Sequence, residues 1–329
     1  KKYYIKSLKM KNKVKIICTL GPASLNPKFL SYSKKNIDLL RLNMSHQTKD
    51  ELIKNIRYIK KYTSCPICID TEGAQIRSKI TNKKFLKKNN KILIKKNNGN
   101  FLNFYPNTIY GKLKINDILN IGFENLKIKV SKIEEKNISA RVISSGYVEN
   151  NKGVHLENRK IKLDCLTEKD LQAVKAGKEH NIINFALSFA NSVADVEYFN
   201  KLTNNNLTNI FKIETKKAVN EFEEIIKKGN NFLIDRGDLS KDINIIKIPE
   251  IQRKLMIIKK KYKNKKIFVA TNLLESMILN NYPTRGEAND IYSSIEMGAD
   301  GLVLAAETAI GRYPIECVEF VKKMINQFK

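Results

Sequence analysis

The sequence is poor in arginine, histidine and acidic residues, and each shortage removes a class of function. Lys and Arg number 61 against 33 Asp and Glu, a formal net charge of +28, yet only nine of the basic residues are Arg. Lysine is a point charge without the planar fork that reads bases or phosphates bidentately, and no zinc-finger, RRM or helix-turn-helix pattern occurs. The charge therefore reads as a solvated Lys- and Asn-rich surface, and nucleic acid is not an expected partner. The same field would favour small anionic substrates. Of the three histidines, His155 and His180 have no companions at metal-ligand spacing. No apolar run approaches the ~18 residues of a membrane span. The basic start, KKYYIKSLKMKNKVKIICTLG, lacks the apolar stretch and cleavage site of a signal peptide. Tyr3 and Tyr4 with their lysines read as a frayed or interface arm. The five cysteines (Cys18, Cys65, Cys68, Cys165, Cys317) are odd in number and mostly sit in apolar runs. That pattern suits reduced thiols in a cytoplasmic protein. Cys65-Pro66-Ile67-Cys68 has redox spacing but enters an apolar run without a helix start to lower a thiol pKa, so it reads as packing.

What is present is a 42% hydrophobic chain with a sizeable core. Short β-branched runs recur: VKIICTLG (14–21), DLLRLNMSH (38–46), PICIDTEG (66–73), INFALSF (183–189), NIFKIET (209–215), FLIDRGDL (232–239), KIFVATN (266–272) and GLVLAAET (301–308). Near-continuous apolar character marks strands buried on both faces of a parallel sheet. Stretches between them, such as KAVNEFEEIIKKG (217–229) and IYSSIEMGA (291–299), carry helical spacing and end near glycine. Eight alternations predict an α/β chain folded as a closed (β/α)8 TIM barrel.

One segment breaks the alternation. Between Arg77 and about His155 the pieces KILIKK, LKIKVSKIE and ISARVISSG are punctuated by NNGN, INDI and ENNKG. They predict a small β-barrel lid domain over 78–155, inserted into a barrel formed by 1–77 and 156–329.

The runs begin apolar and finish polar, with Asn43 and Ser45, Asp70 and Thr71, Ser188, Lys212 and Glu214, Asp238, Thr271 and Glu307. The C-terminal strand ends of such a barrel converge on one face, where the reaction site is built. Lys212 and Glu214, two apart on one strand, share a face. Glu214 and Asp238 can hold a divalent cation through oxygen, as Mg²⁺ is usually held. Lys212 beside it would meet a phosphoryl group in flight. A second oxygen cluster of Asn43, Ser45, Asp70 and Thr71 suits a hard cation.

With these residues in view, the chain resembles the pyruvate kinase family. The resemblance rests on KIICTLGPAS (15–24), RLNMSH (41–46), DTEGAQIR (70–77), KGV (152–154), LTEKDLQAV (166–174), ALSFA (186–190), KIE (212–214), RGDL (236–239), ATNLLESM (270–277), PTRGEANDI (283–291) and ETAIGRYP (307–314), in the family's order. It implies phosphoryl transfer between phosphoenolpyruvate and ADP, giving pyruvate and ATP. It further implies that Lys212 stabilises the transferring group, that Glu214 and Asp238 hold Mg²⁺ or Mn²⁺, and that Asn43, Ser45, Asp70 and Thr71 hold K⁺. Arg41 and Ser188 would contact phosphate. Backbone amides around Arg236, Gly237 and Asp238 would receive the substrate carboxylate, with Gly237 leaving room for it. Thr271 would lie by the enolate carbon, and Arg41, His46 and Arg77 would contact nucleotide.

The sequence departs from the family pattern at several places. It stops after the last barrel helix, so the family's C-terminal regulatory domain is expected to be missing, and any homo-oligomer would not run through it. Asp235 replaces the small residue usual before Arg-Gly-Asp. Gln75, after Ala74, replaces the Glu of the family's DTxGPEIR block, which the family ties to K⁺ dependence. Asn272 and Ala305-Ala306 add to the drift. Three readings follow: a compact pyruvate kinase; a paralogue acting on another 2-oxo acid or phosphorylated substrate through the same enolate apparatus; and a non-catalytic or nucleic-acid-binding protein.

Overall fold

A computed structural model describes residues 13–122, 126–135, 137–159, 161–205 and 208–328. The arm carrying Tyr3 and Tyr4 lies outside the described residues. Eight parallel strands close on themselves in sequence order: β1 (Lys15–Thr19), β2 (Leu39–Asn43), β3 (Ile67–Asp70), β4 (Asn184–Leu187), β5 (Ile210–Ile213), β6 (Asn231–Asp235), β7 (Lys266–Ala270) and β8 (Gly301–Leu304), which pairs back with β1. Each coincides with one of the eight apolar runs, β6 starting one residue ahead of its run, and each is buried along nearly all its length. Helices between them, such as Lys49–Tyr62 and Arg285–Glu296, start on threonine capping boxes at Thr48 and Thr284. The stretch expected as one helix over 217–229 is two, Lys216–Asn220 and Phe222–Lys228, broken at Glu221, whose ψ is 0°.

One residue from every strand meets in a single apolar layer inside the barrel: Ile17, Leu39, Cys68, Ala186, Ile210, Leu233, Phe268 and Val303, with Ala270 beside them. Side chains alternate along a strand, so the residue two positions on faces the same interior, one layer nearer the C-terminal end. Those next positions are Thr19, Arg41, Asp70, Ser188, Lys212, Asp235, Ala270 and Ala305. Six of the eight are polar, and that layer is where the apolar barrel becomes a site.

The chain divides into two compact units: one joins the residues up to Gly73 with those from Glu168 onward, and the other is Ala74–Thr167. The second begins and ends outside the expected 78–155. It is all β, with a seven-stranded antiparallel sheet and a two-stranded sheet pairing Gly146–Val148 with Lys84–Leu86. A single bridge between Ile94 and Leu102 joins the strand at one edge of the large sheet to the residue just before the strand at the other. Its core gathers alternate residues of these strands, among them Ile94, Phe104, Leu119, Ile128, Val130 and Val142. Among the described residues no helix is long and apolar enough to cross a membrane.

Candidate active site

Lys212 stands at the centre of the polar layer with 5% of its surface exposed. Its ammonium lies 2.8 Å from Glu214 Oε1, 3.4 Å from Asp70 Oδ2 and 3.5 Å from Asp235 Oδ2, and it donates to Ser188 Oγ at 3.0 Å. Burial alone would lower the lysine's pKa. The carboxylates of Asp70, Glu214 and Asp235 outweigh burial and raise it, so the ammonium stays charged. Glu214 moves the other way for a carboxylate: burial pushes it up, to about 8, against the pull of Lys212 and with Asp235 and Asp238 adding to the rise. Of the two partners the lysine is the more securely charged, because several carboxylates face it.

Arg41 completes the layer. Its Nε and Nη2 donate to Thr19 Oγ1 at 2.9 and 2.7 Å, and its Nη1 donates to Asp70 Oδ2 at 3.1 Å. Three of the five N–H groups of a guanidinium are thus engaged, which leaves two for a ligand. Asp70 is fully buried between both cations and also accepts from Ser188 Oγ at 3.2 Å.

Two backbone features fix the rim of the site. Phe189 adopts a left-handed φ of +54°, rare for an aromatic residue, and its amide donates to Glu214 Oε2 at 2.6 Å. Gly73 has φ +73°, and a Cβ there would stand 2.8 Å from Ser188. Only glycine meets both conditions. The loop that carries it is held by Asp170, a fully buried carboxylate that accepts from the amides of Glu72 at 2.7 Å and Gly73 at 3.1 Å. Thr19 and Asp170 were missed in the sequence. Thr19 ends an apolar run as any strand threonine could, and Asp170 lies in a helix whose partner loop is almost 100 residues away.

The Arg-Gly-Asp tripeptide opens the helix Arg236–Asp242. The Arg236 side chain turns to Asp290, at 2.7 and 2.8 Å, and to the carbonyls of Ala270 and Thr271. Its guanidinium is therefore spent on holding the loop after β7 to the helix Arg285–Glu296, and a substrate would find only its backbone. The Gly237 amide donates to Thr271 Oγ1 at 2.7 Å. A Cβ on Gly237 would make ordinary contact with Thr271 at 3.4 Å, so packing alone does not demand glycine there. Asp238, half-buried, pairs with Lys241 at 2.5 Å.

Oxygen atoms of Glu214, Asp235 and Asp238 lie within 4.8 Å of one another. Glu214 Oε1 is buried, and the ammonium of Lys212 at 2.8 Å is its close polar neighbour. An all-carboxylate donor set around a buried oxygen fits a hard divalent cation. Asn43 and Asp70 are opposite each other in the β2–β3 register, while Asn43 Oδ1 accepts from the Ser45 amide at 2.9 Å and Thr71 Oγ1 from the Ser188 amide at 2.9 Å. His46 is exposed in the turn after β2. Arg77 belongs to the smaller unit, where it donates to the Asn151 carbonyl at 3.2 Å.

Comparison with known proteins adds an independent finding. A family model described as pyruvate kinase, barrel domain, matches residues 11–318. A pyruvate kinase of Thermotoga maritima is 32% identical over 332 aligned residues, covering 95% of this chain and 70% of the relative. One from Buchnera aphidicola subsp. Schizaphis graminum is 35% identical over 336, covering 95% and 69%. One from Dictyostelium discoideum is 31% identical over 335, covering 96% and 66%.

Proposed function

Because the chain belongs to the pyruvate kinase family, we propose that it is a phosphotransferase that moves a phosphoryl group from phosphoenolpyruvate to ADP, giving pyruvate and ATP. The observation that carries this reading is Lys212: a charged ammonium held in the barrel's polar layer beside an all-oxygen cation site. The reading on another 2-oxo acid draws no support from relatives that all carry the pyruvate kinase name.

Lys212 would sit against the phosphoryl group and offset the charge that develops on its oxygens. Its position costs no reorganisation at the moment of transfer, since Asp70, Glu214 and Asp235 already hold it. Arg41, pinned by Thr19 and Asp70, would direct its two remaining N–H groups at phosphate. Ser188 would orient both Lys212 and Asp70 through its hydroxyl. Glu214 and Asp238 would hold Mg²⁺ or Mn²⁺, which when bound supplies neutralising charge for the phosphoryl and enolate oxygens. The amides around Arg236, Gly237 and Asp238 would take the substrate carboxylate, which would replace Thr271 Oγ1 at the Gly237 amide and Asp235 at the Asp238 amide. Thr271 Oγ1 would move or relay a proton beside the enolate carbon. His46 and Arg77 would contact nucleotide, and Asn43, Ser45, Asp70 and Thr71 would hold K⁺.

The test is a coupled assay with phosphoenolpyruvate, ADP, Mg²⁺ and K⁺. ATP formation is expected, with Lys212→Met reducing it by about three orders of magnitude or more. Activity no greater than that of Lys212→Met would sink the proposal. Replacing KCl by choline chloride in the same assay reads the monovalent requirement.

A further inference from the structure

We propose that Asp235 is a third carboxylate arm of the divalent-cation site, and that it sets how tightly the site holds the ion before substrate arrives. The inference deepens the reading above and rests on it.

Position comes first. Asp235 closes β6, two residues beyond Leu233 of the interior apolar layer, so its side chain enters the same layer as Lys212 and Asp70. It is 5% exposed. An oxygen of Asp235 lies within 4.8 Å of oxygens of both Glu214 and Asp238. Strand geometry thus brings three carboxylates from two adjacent strand ends and the first turn of the helix Arg236–Asp242 to one point.

Helix capping is the simpler explanation for an Asp at this place, and it accounts for little. The side chain does accept from the Asp238 amide, but at 3.4 Å, well beyond the ~2.9 Å of a good N–H···O bond. Its second oxygen is 3.5 Å from Lys212, the longest of that lysine's three ion pairs. A residue kept for capping or for Lys212 would be expected to make at least one of these contacts well.

Charge decides between the roles. Among the interior groups, Arg41 and Lys212 face the carboxylates of Asp70, Glu214 and Asp235, with Asp238 paired to Lys241 at the more exposed rim. Were all three buried carboxylates ionised, the set would hold one negative charge too many, which low-dielectric surroundings penalise. A divalent ion that takes Asp238 from Lys241 leaves the cluster of Arg41, Lys212, Asp70, Glu214, Asp235 and Asp238 neutral. With an uncharged residue in place of Asp235 the same ion would leave it positive. The added carboxylate thus shifts the balance toward the ion.

The experiment is Mn²⁺ binding to the substrate-free full chain, read by the paramagnetic resonance of free Mn²⁺. The panel is wild type, Asp235→Asn, Asp235→Ser and Glu214→Gln. Asn and Ser are both good N-caps, so the start of the helix is kept and only the charged arm is lost. Far-UV circular dichroism identifies folded variants, and two substitutions guard against one failing to fold. The dissociation constant is expected to rise about ten-fold or more in both Asp235 variants. Values within two-fold of wild type, with Glu214→Gln still weakened, would overturn the role of Asp235 and leave the cation site standing. Binding unchanged in Glu214→Gln, or absent in wild type, would overturn the cation site and this inference together.

Discussion

The amide of Gly237 donates to Thr271 Oγ1 across 2.7 Å, which ties the turn after β6 to the first residue beyond β7. Thr271 holds this place with φ +70°, a conformation a β-branched residue rarely adopts, while its hydroxyl donates to the Ala270 carbonyl at 2.6 Å. Such strain persists where the surroundings impose it, and it clusters at reaction sites. Thr271→Ser keeps the hydroxyl and should retain most activity. Thr271→Val keeps the shape, loses the hydroxyl, and should lower kcat by about 10²-fold. Steady-state kinetics on the two variants check this, and equal rates would remove Thr271 from the chemistry.

Arg41 predicts a separation between charge and shape. Its guanidinium spans Thr19 and Asp70 from a position 5% exposed. Arg41→Lys keeps the charge but cannot reach both partners while still facing a phosphate. Activity should fall by about two orders of magnitude with a small change in stability. Arg41→Met leaves Asp70 with one cation fewer, and removal of one partner from a buried pair costs about 3–5 kcal/mol. Urea midpoints beside kinetics for both variants test the contrast.

Much of this was legible in the chain, for reasons that differ by residue. The eight strands could be read because strands buried on both faces need unbroken apolar runs. Lys212, Glu214 and Asp70 stood out because a charged residue inside such a run has to be paired. Asp235 stood out as a carboxylate where a small residue was expected, although its neighbours could not be known. Three things depended on distant parts of the fold. Asp170 supports the loop at Gly73 from another element. Arg236 shares the conspicuous tripeptide, yet its side chain leaves the site for Asp290, 54 residues away. The break at Glu221 lies inside a stretch whose helical spacing is continuous. Sequence spacing gives which face a side chain takes on its own element; which partner it meets is set by packing.

The cysteines give a prediction that needs no assay of function. Burial pushes Cys65 and Cys317 up to about 12 and raises Cys18 and Cys68 well above a free thiol. All four are buried, whereas Cys165 is partly exposed. The thiolate is the reactive form, so native protein at pH 8 should lose one thiol to iodoacetamide, mapped by mass spectrometry to Cys165. Denatured protein should lose five. Rapid modification of Cys65 or Cys68 in native protein would contradict the packing described for β3.

Glu287 predicts a pH-dependent term in stability. Its carboxylate accepts from the amide and hydroxyl of Ser276 and from those of Thr284, closing the capping box of the helix Arg285–Glu296 onto the turn after β7. Partial burial works against the ionised form, but these hydrogen bonds outweigh it and hold the pKa below the ordinary 4.5. A depressed folded pKa means that the ionised carboxylate stabilises the fold at pH values above the unfolded pKa. That contribution is lost as pH falls through the folded value. Glu287→Gln should therefore lower stability by about 1 kcal/mol at pH 7, and the gap to wild type should close as pH is taken down past about 4. Urea unfolding of the pair at pH 7, 5 and 3.5 measures it. A gap that stayed constant across that range would show that the carboxylate acts there by shape rather than by charge.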